Sequence, residues 1–166
     1  MRIGFIGLGN VGGKLAGSIL RNDFDLTVRD LDSELEHSFA QKGATIGESP
    51  AQIARNVDIL ITCLPNPEAS ANVMEGEDGV LSAIGPGTIW AEMSTTDERE
   101  VRRLGEQVMA AGGEPIDCPV SGGCHRAATG NISIFAGTER STFDRALPVL
   151  TTLGRQVLHT GPLGSA

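Results

Sequence analysis

The chain carries little positive charge and has no long hydrophobic run. Its 166 residues include 13 lysines and arginines against 21 aspartates and glutamates, which gives a formal net charge of −8. A chain this acidic, with no basic patch, is poorly suited to hold nucleic acid phosphates or an anionic membrane surface. No segment approaches the roughly 18 apolar residues that indicate a membrane-spanning helix. The expected partners therefore include neither nucleic acid nor membrane.

Cysteine is also scarce. Cys63, Cys118 and Cys124 are an odd number and too few for a disulfide framework in a chain of this length, so free thiols in a reducing compartment are expected. The first apolar run is short and interrupted by glycine, unlike a secretory signal. Cys118, Cys124 and His125 lack the four-ligand spacing of a zinc site, so no metal is expected. These features together favour a cytoplasmic protein.

Apolar runs of strand length alternate with segments of helical period along the whole chain. Strands are predicted at 3–6, 26–28, 57–64, 88–91, 115–118, 132–136 and 156–159, and helices at 11–20, 31–42, 97–111 and 141–153. The segment 119–123 is predicted to be a loop, and no linker or internal repeat divides the chain. Repeated β–α alternation predicts an α/β fold, a Rossmann-type doubly wound and mostly parallel sheet, in a single domain over residues 1–166.

A glycine motif follows the first predicted strand and opens the first predicted helix, which is where a G-x-G-x-x-G sequence has a mechanism. Gly7 would permit the tight turn, Gly9 would let a pyrophosphate approach the backbone, and Gly12 would let the helix pack against the sheet. Free N–H groups at the helix start would hold the phosphates. The alternative is a glycine-rich turn without a ligand. The predicted dinucleotide-binding loop consists of Gly7, Leu8, Gly9, Asn10, Val11 and Gly12.

Asp30 closes the second predicted strand, 18 residues after Gly12. A carboxylate at this place accepts hydrogen bonds from an adenosine ribose and repels a 2′-phosphate, which favours NAD over NADP. Arg29 is a complication because an arginine nearby can bind a 2′-phosphate, but strand alternation predicts that its side chain turns to the opposite side. NAD is the expected cofactor and NADP the alternative. The alternative role of Asp30 is that of a helix cap or a surface carboxylate.

Four motifs, in order along the chain, resemble those of the β-hydroxyacid dehydrogenase family. This family includes 3-hydroxyisobutyrate dehydrogenases and tartronate semialdehyde reductases, with 6-phosphogluconate dehydrogenase and the imine reductases as relatives. The opening GFIGLGNVGGKLAGSIL is similar to the family's first signature, with Val11 and Leu15 in place of methionines. CLPN at 63–66 and EMST at 92–95 are similar to the second and third. DCPVSGG at 117–123 is nearly the family's DAPVSGG.

The resemblance implies an oxidoreductase that transfers hydride between a nicotinamide cofactor and a small 3-hydroxy acid or semialdehyde. It places Leu64 and Pro65 beside the pyrophosphate and the nicotinamide ribose, and Thr95 near the nicotinamide. A homo-oligomer is expected for the full-length protein. The substrate would be held by a hydroxyl group and a nest of backbone N–H groups, those of Ser121, Gly122 and Gly123.

The family's catalytic lysine lies on a helix beyond a stretch that residues 161–166 match. The two lysines of the chain, Lys14 and Lys42, are at other positions, so no catalytic residue is expected in it. The resemblance therefore implies the cofactor half of a dehydrogenase, without the C-terminal helical catalytic domain, that binds cofactor with little turnover. The alternatives are a non-catalytic dinucleotide-binding sensor or scaffold module, and a fragment of an NADP-dependent imine or semialdehyde reductase.

Overall fold

Nine strands and seven helices follow one another in the computed structural model, which describes residues 1–166. The strands are β1 Arg2–Ile6, β2 Asp25–Arg29, β3 Thr45–Ile46, β4 Ile59–Thr62, β5 Ile89–Glu92, β6 Glu114–Asp117, β7 Val120–Ser121, β8 Ile132–Gly137 and β9 Gly154–Gly161. The helices are α1 Gly12–Arg21, α2 Ser33–Ala40, α3 Pro50–Asn56, α4 Pro67–Glu75, α5 Glu98–Ala110, α6 Gly123–Ala128 and α7 Arg140–Leu153. No helix has the length and apolar character needed to cross a lipid bilayer.

The strand order defines the topology of the sheet. Six strands run parallel in the order β3-β2-β1-β4-β5-β6. β8 is antiparallel to β6 and β7, and β9 runs parallel to β8. β2 and β3 follow β1 on one side of the sheet, and β4, β5 and β6 follow on the other side. The direction of strand addition therefore reverses between β1 and β4. In open α/β sheets a ligand binds at the carboxyl ends of the strands at such a reversal. The predicted doubly wound, mostly parallel α/β fold is confirmed.

Both faces of the sheet are buried. Ile3 and Phe5 of β1 belong to a cluster of 26 buried residues, to which α1, α2, α6 and α7 contribute. Ile6 and Trp90 belong to a second cluster of 11, on the side of α3, α4 and α5. Successive strand residues point to opposite faces, so a strand covered on both sides needs apolar residues at every position. This burial explains the unbroken apolar runs in the central strands.

Two helices that the apolar periodicity did not predict begin with the same local signal. Ser49 caps α3 by accepting a hydrogen bond from Gln52, and Asn66 caps α4 by accepting one from Ala69. In both helices the residue after the cap is proline, which is favoured at the first helical position. These helices have only seven and nine residues, too few to show a clear helical period.

The segment 119–123 is only partly the predicted loop. Val120 and Ser121 form β7, which pairs with Ile134 and Ser133 of β8, and Gly123 begins α6. The loop prediction is therefore wrong for 120–121 and for Gly123. A two-residue strand followed directly by glycine has no local periodicity, and its pairing is made by a strand more than ten residues further along the chain.

A network of ion pairs and hydrogen bonds on the surface connects α4 to α5. Arg103 donates two hydrogen bonds to the Glu75 carboxylate, at 2.6 and 2.8 Å, and Gln107 donates a third at 2.8 Å. Hydrogen bonds from Arg103 and then Gln107 lower the pKa of Glu75 to about 2. Because the pKa is lowered in the folded state, the network stabilises the fold fully above the ordinary value of 4.5. This contribution is lost as the pH falls toward 2.

We expect Arg103→Gln to reduce the free energy of unfolding at neutral pH by about 1 kcal/mol, the scale of exposed ion pairs. The difference from the unsubstituted chain should shrink as the pH falls toward 2, since Glu75 then becomes protonated. Urea denaturation at a series of pH values measures both quantities. Arg99→Gln, which removes an arginine of the same helix that forms no ion pair, is the control. Equal losses for the two variants would contradict the assignment.

Candidate functional site

A cleft of about 890 Å³ lies where the loops after β1, β2, β4 and β5 meet. Its volume is within the range of small-molecule and cofactor sites. The cleft is located at the reversal of strand order, beyond the carboxyl ends of the parallel strands. Ten of the thirteen predicted site residues line it: Gly7, Gly9, Asn10, Val11, Gly12, Asp30, Leu64, Pro65, Thr95 and Gly123.

Three predicted site residues do not line the cleft. Leu8 is the buried residue of the glycine loop, Ser121 is exposed in β7, and Gly122 lies just before α6. Sequence reasoning did not assign a role to several lining residues, some of which lie inside the quoted motifs and others on α4 or in the loops. The additional lining residues are Ile6, Arg29, Leu31, Pro50, Cys63, Ala69, Asn72, Val73, Met93, Ser94, Val120 and Ile132.

The glycine loop presents unpaired backbone donors to the cleft. The N–H groups of Gly9, Asn10, Val11 and Gly12 donate to no other group of the chain. Val11, at the N-cap position of α1, makes no side-chain cap, and the first turn contains no acidic residue. Unpaired N–H groups and the positive end of the helix dipole together attract an anion. The loop is therefore suited to bind phosphate.

The three glycines of the motif are required for different reasons. A Cβ on Gly12 would overlap the carbonyl oxygen of Gly7, and a Cβ on Gly7, where φ is +99°, would overlap the carbonyl oxygen of Cys63. The fold itself therefore requires glycine at positions 7 and 12. A Cβ on Gly9 would meet no atom within 4 Å. The fold places no such demand on position 9, so the space in front of Gly9 remains available to a ligand.

Asp30 connects the end of β2 to the glycine loop. Its Oδ2 accepts a hydrogen bond from the Leu8 N–H at 2.5 Å, and its Oδ1 accepts one from the Asp32 N–H at 2.9 Å. The N-cap of α2 is Asp32, whose carboxylate accepts from the Glu34 N–H at 2.9 Å. Asp30 is thus not the helix cap. Its carboxylate lies in the cleft and holds the loop in place.

Arg29 lines the same cleft as Asp30, so the prediction that its side chain turns to the opposite side is wrong. Its guanidinium donates a hydrogen bond to Glu36 of α2 at 3.1 Å. Alternation holds within a strand, but β2 ends at Arg29, and Asp30 already belongs to the loop. The position of the guanidinium is set by a helix carboxylate that the strand pattern cannot reveal.

A buried hydrogen-bond chain joins the loops after β4 and β5. Ser94 donates to Glu92 Oε1 from its backbone N–H, at 2.9 Å, and from its hydroxyl. The hydroxyl oxygen accepts from the Leu64 N–H at 2.7 Å. Burial raises the pKa of the Glu92 carboxyl, against the hydrogen bonds from Ser94, which lower it. Ser94 thus fixes the loop that contains Leu64 and Pro65 relative to the one that contains Thr95.

The cleft offers binding and orientation but little reactive chemistry. Burial, with a smaller contribution from Glu92, raises the pKa of the Cys63 thiol to about 12, so this cysteine is not a thiolate nucleophile at neutral pH. Lys14 and Lys42 line a separate cavity between α1 and α2. No group of three or more His, Cys, Asp or Glu side chains is arranged to hold a metal ion.

Three features define a dinucleotide-binding domain of the Rossmann class. They are the free amides at the start of α1, the carboxylate at the end of β2, and the reversal of strand order between β1 and β4. A comparison of the sequence with known protein families gives the same class. Residues 2–161 match the family described as the NAD binding domain of 6-phosphogluconate dehydrogenase. The chain belongs to this family.

Several relatives are dehydrogenases or reductases. A probable mitochondrial 3-hydroxyisobutyrate dehydrogenase of Dictyostelium discoideum is 33% identical over 163 residues, which cover 98% of this chain and 51% of that protein. A 3-sulfolactaldehyde reductase of Escherichia coli is 33% identical over 162 residues, 98% of this chain and 54% of the reductase. The solved Mycobacterium tuberculosis 3-hydroxyisobutyrate dehydrogenase has a TM-score of 0.92 at 28% identity, covering 99% of this chain and 56% of that one. The chain spans about half the length of these relatives.

Proposed function

We propose that residues 1–166 are the dinucleotide-binding domain of an oxidoreductase that transfers hydride between NAD and a small 3-hydroxy acid or semialdehyde. The observation that carries the proposal is the glycine loop. Its N–H groups at positions 9–12 have no partner in the chain, and the glycine at position 9 is not required by the fold. A ligand that brings phosphate to this loop accounts for both features.

Each part of the cleft suits one part of the cofactor. The pyrophosphate would lie on the N–H groups of the glycine loop, and Asp30 would accept from the hydroxyls of the adenosine ribose. Leu31, fully exposed beside Asp30, would cover one face of the adenine. The nicotinamide half would extend toward Leu64, Pro65 and Thr95, at the ends of β4 and β5.

The proposed substrate position is the turn between β7 and α6. Gly122 and Gly123 have φ of +131° and +75°, and their N–H groups donate to no other group of the chain. Successive free amides in such a turn suit a carboxylate, and the exposed Ser121 adds a hydroxyl group. The M. tuberculosis 3-hydroxyisobutyrate dehydrogenase was solved together with L-serine, which is itself a small 3-hydroxy acid. This supports the same substrate class here.

The proton-transferring group is proposed to lie outside residues 1–166, in the helical domain of the family. Neither lysine of the chain lines the cleft. The chain would then bind and orient NAD, and general acid–base catalysis at the substrate oxygen would need a residue that it does not contain. We further propose a cytoplasmic protein, a homo-oligomer at full length, with no nucleic acid or membrane partner.

Turnover and binding are measured separately to test this proposal. The chain is mixed with NAD and a small 3-hydroxy acid such as L-serine or 3-hydroxyisobutyrate, and NADH formation is followed by absorbance. NAD binding is followed in parallel by equilibrium dialysis. We expect saturable binding and no NADH formation above a protein-free blank. Rapid turnover would contradict the placement of the catalytic group, and the absence of binding would contradict the cofactor role.

We expect Asp30→Asn to weaken NAD binding about tenfold, or ~1.4 kcal/mol, and to narrow the preference for NAD over NADP. An amide oxygen can still accept from the Leu8 N–H, whereas the variant loses the acceptor of the Asp32 N–H and the charge that repels a 2′-phosphate. Dissociation constants for the two dinucleotides measure both effects. Asp32→Asn is the matched control, since it changes the cap of α2 and should leave the NAD/NADP ratio unchanged. Equal ratios for the two variants would contradict the role of Asp30.

A further inference from the structure

A cation lies where the proposed cofactor would place its adenosine ribose. Arg29 lines the cleft beside Asp30, and its side chain is 35% exposed. An arginine at the end of this strand can bind the 2′-phosphate of NADP, whereas Asp30 favours the free hydroxyl of NAD. The two neighbouring residues therefore favour different dinucleotides, and the structure must determine which of them dominates.

Glu36 resolves this competition by its position in α2. Its side chain is only 8% exposed. The Oε1 atom accepts a hydrogen bond from Arg29 Nη1 at 3.1 Å and another from the Asp30 N–H at 3.0 Å. One carboxylate oxygen thus holds both the competing cation and the backbone of the residue that would bind the ribose.

The burial of Glu36 makes its pairing with Arg29 costly to break. If the guanidinium turned to a phosphate, a carboxylate with little solvent access would be left without its cationic partner. The charges around the ribose position reinforce the effect. Glu36 and Asp30 supply two carboxylates against one guanidinium, so a 2′-phosphate with its added negative charge would meet net repulsion.

We propose that Glu36 is a specificity-determining residue, which keeps Arg29 paired and so withholds it from the 2′-phosphate of NADP. This inference rests on the proposed function, since it concerns the ribose end of the same cleft. Glu36 acts through Arg29 and Asp30 and makes no contact with the cofactor itself. The preference for NAD is then a property of three residues, of which two flank the ribose position and one lies on α2.

Glu36→Gln tests this arrangement because the glutamine oxygen can still accept from the Asp30 N–H while the negative charge is removed. We expect NADP to bind more tightly and NAD to be little changed, so that the ratio of their dissociation constants shifts about tenfold toward NADP. Both constants are measured by equilibrium dialysis, and thermal unfolding verifies that the variant is folded. A shift of equal size for both dinucleotides would show that Glu36 only positions Asp30, and would overturn the proposal.

The double variant Arg29→Gln/Glu36→Gln removes the whole pair and preserves the local charge balance. We expect its NAD/NADP ratio to agree with that of the unsubstituted chain within about twofold, because neither protein offers a free guanidinium to the 2′-phosphate and the net charge at the site is the same. A clear loss of NADP affinity would show that Arg29 already binds the 2′-phosphate, and would also overturn the proposal. This result does not depend on the stability of the single variant. Failure of the unsubstituted chain to bind NAD would instead contradict the proposed function.

Discussion

Replacing Gly9 with alanine is expected to abolish tight dinucleotide binding and to leave the fold intact. A methyl group at this position meets no atom of the chain within 4 Å, so packing does not oppose it. The methyl group would instead occupy the space through which a pyrophosphate approaches the backbone. We expect the dissociation constant for NAD to rise about 100-fold, or ~2.8 kcal/mol. The free energy of unfolding should stay the same or rise by about 0.5 kcal/mol, because alanine has less freedom in the unfolded chain.

Two further glycines serve as matched comparisons for Gly9→Ala. Gly12→Ala should lose binding and also about 1–3 kcal/mol of stability, since its Cβ overlaps the Gly7 carbonyl oxygen. Gly85→Ala lies in a turn outside the cleft, where a Cβ also meets no atom within 4 Å, so it should leave NAD binding unchanged and alter stability no more than Gly9→Ala does. Titration with NAD and urea denaturation of all three variants give the two measurements. Unchanged NAD binding by the Gly9 variant would contradict the role of the loop.

Ser94→Ala is expected to lower the free energy of unfolding by about 1–3 kcal/mol, the cost of leaving buried polar groups unsatisfied. The Leu64 N–H would lose its acceptor, and the Glu92 carboxylate would lose one of two donors. The loops after β4 and β5 would no longer be tied to each other. Because Leu64 and Thr95 lie on these loops, NAD binding should weaken in the same variant, which urea denaturation and NAD titration together measure.

Ser82→Ala is the control for Ser94→Ala. The Ser82 hydroxyl donates to the carbonyl oxygen of Gly79 at 2.8 Å, within one turn and away from the cleft. We expect a loss of about 1 kcal/mol or less, as for an ordinary hydrogen bond, and no change in NAD affinity. If Ser94→Ala behaved like Ser82→Ala in both measurements, the hydroxyl of Ser94 would not link the two loops.

The features that could be predicted are those that local sequence encodes. The apolar runs around Phe5, Ile61 and Trp90 predict strands buried on both faces, because two-sided burial requires apolar residues at consecutive positions. The glycine motif is contiguous, so its position between β1 and α1 follows from the elements on either side. Asp30 could be placed because the end of β2 is adjacent in the sheet to the end of β1.

The features that escaped prediction depend on contacts between distant segments. The side-chain position of Arg29 is set by Glu36, a residue of the following helix, and strand alternation carries no information about that helix. The link from Leu64 to Ser94 spans 30 residues and depends on β4 and β5 being neighbours. The helix α4, which lines the cleft through Asn72 and Val73, is too short for periodicity and is marked only by its cap.

The most direct test of the account is a calorimetric titration of the chain with NAD and, separately, with NADP. The glycine loop predicts saturable binding of NAD. Asp30 and the pairing of Arg29 with Glu36 predict that NADP binds with a higher dissociation constant than NAD, or does not bind. Tighter binding of NADP would contradict the roles of Asp30 and Glu36. No saturable heat with either dinucleotide would contradict the central claim that the cleft is a dinucleotide site.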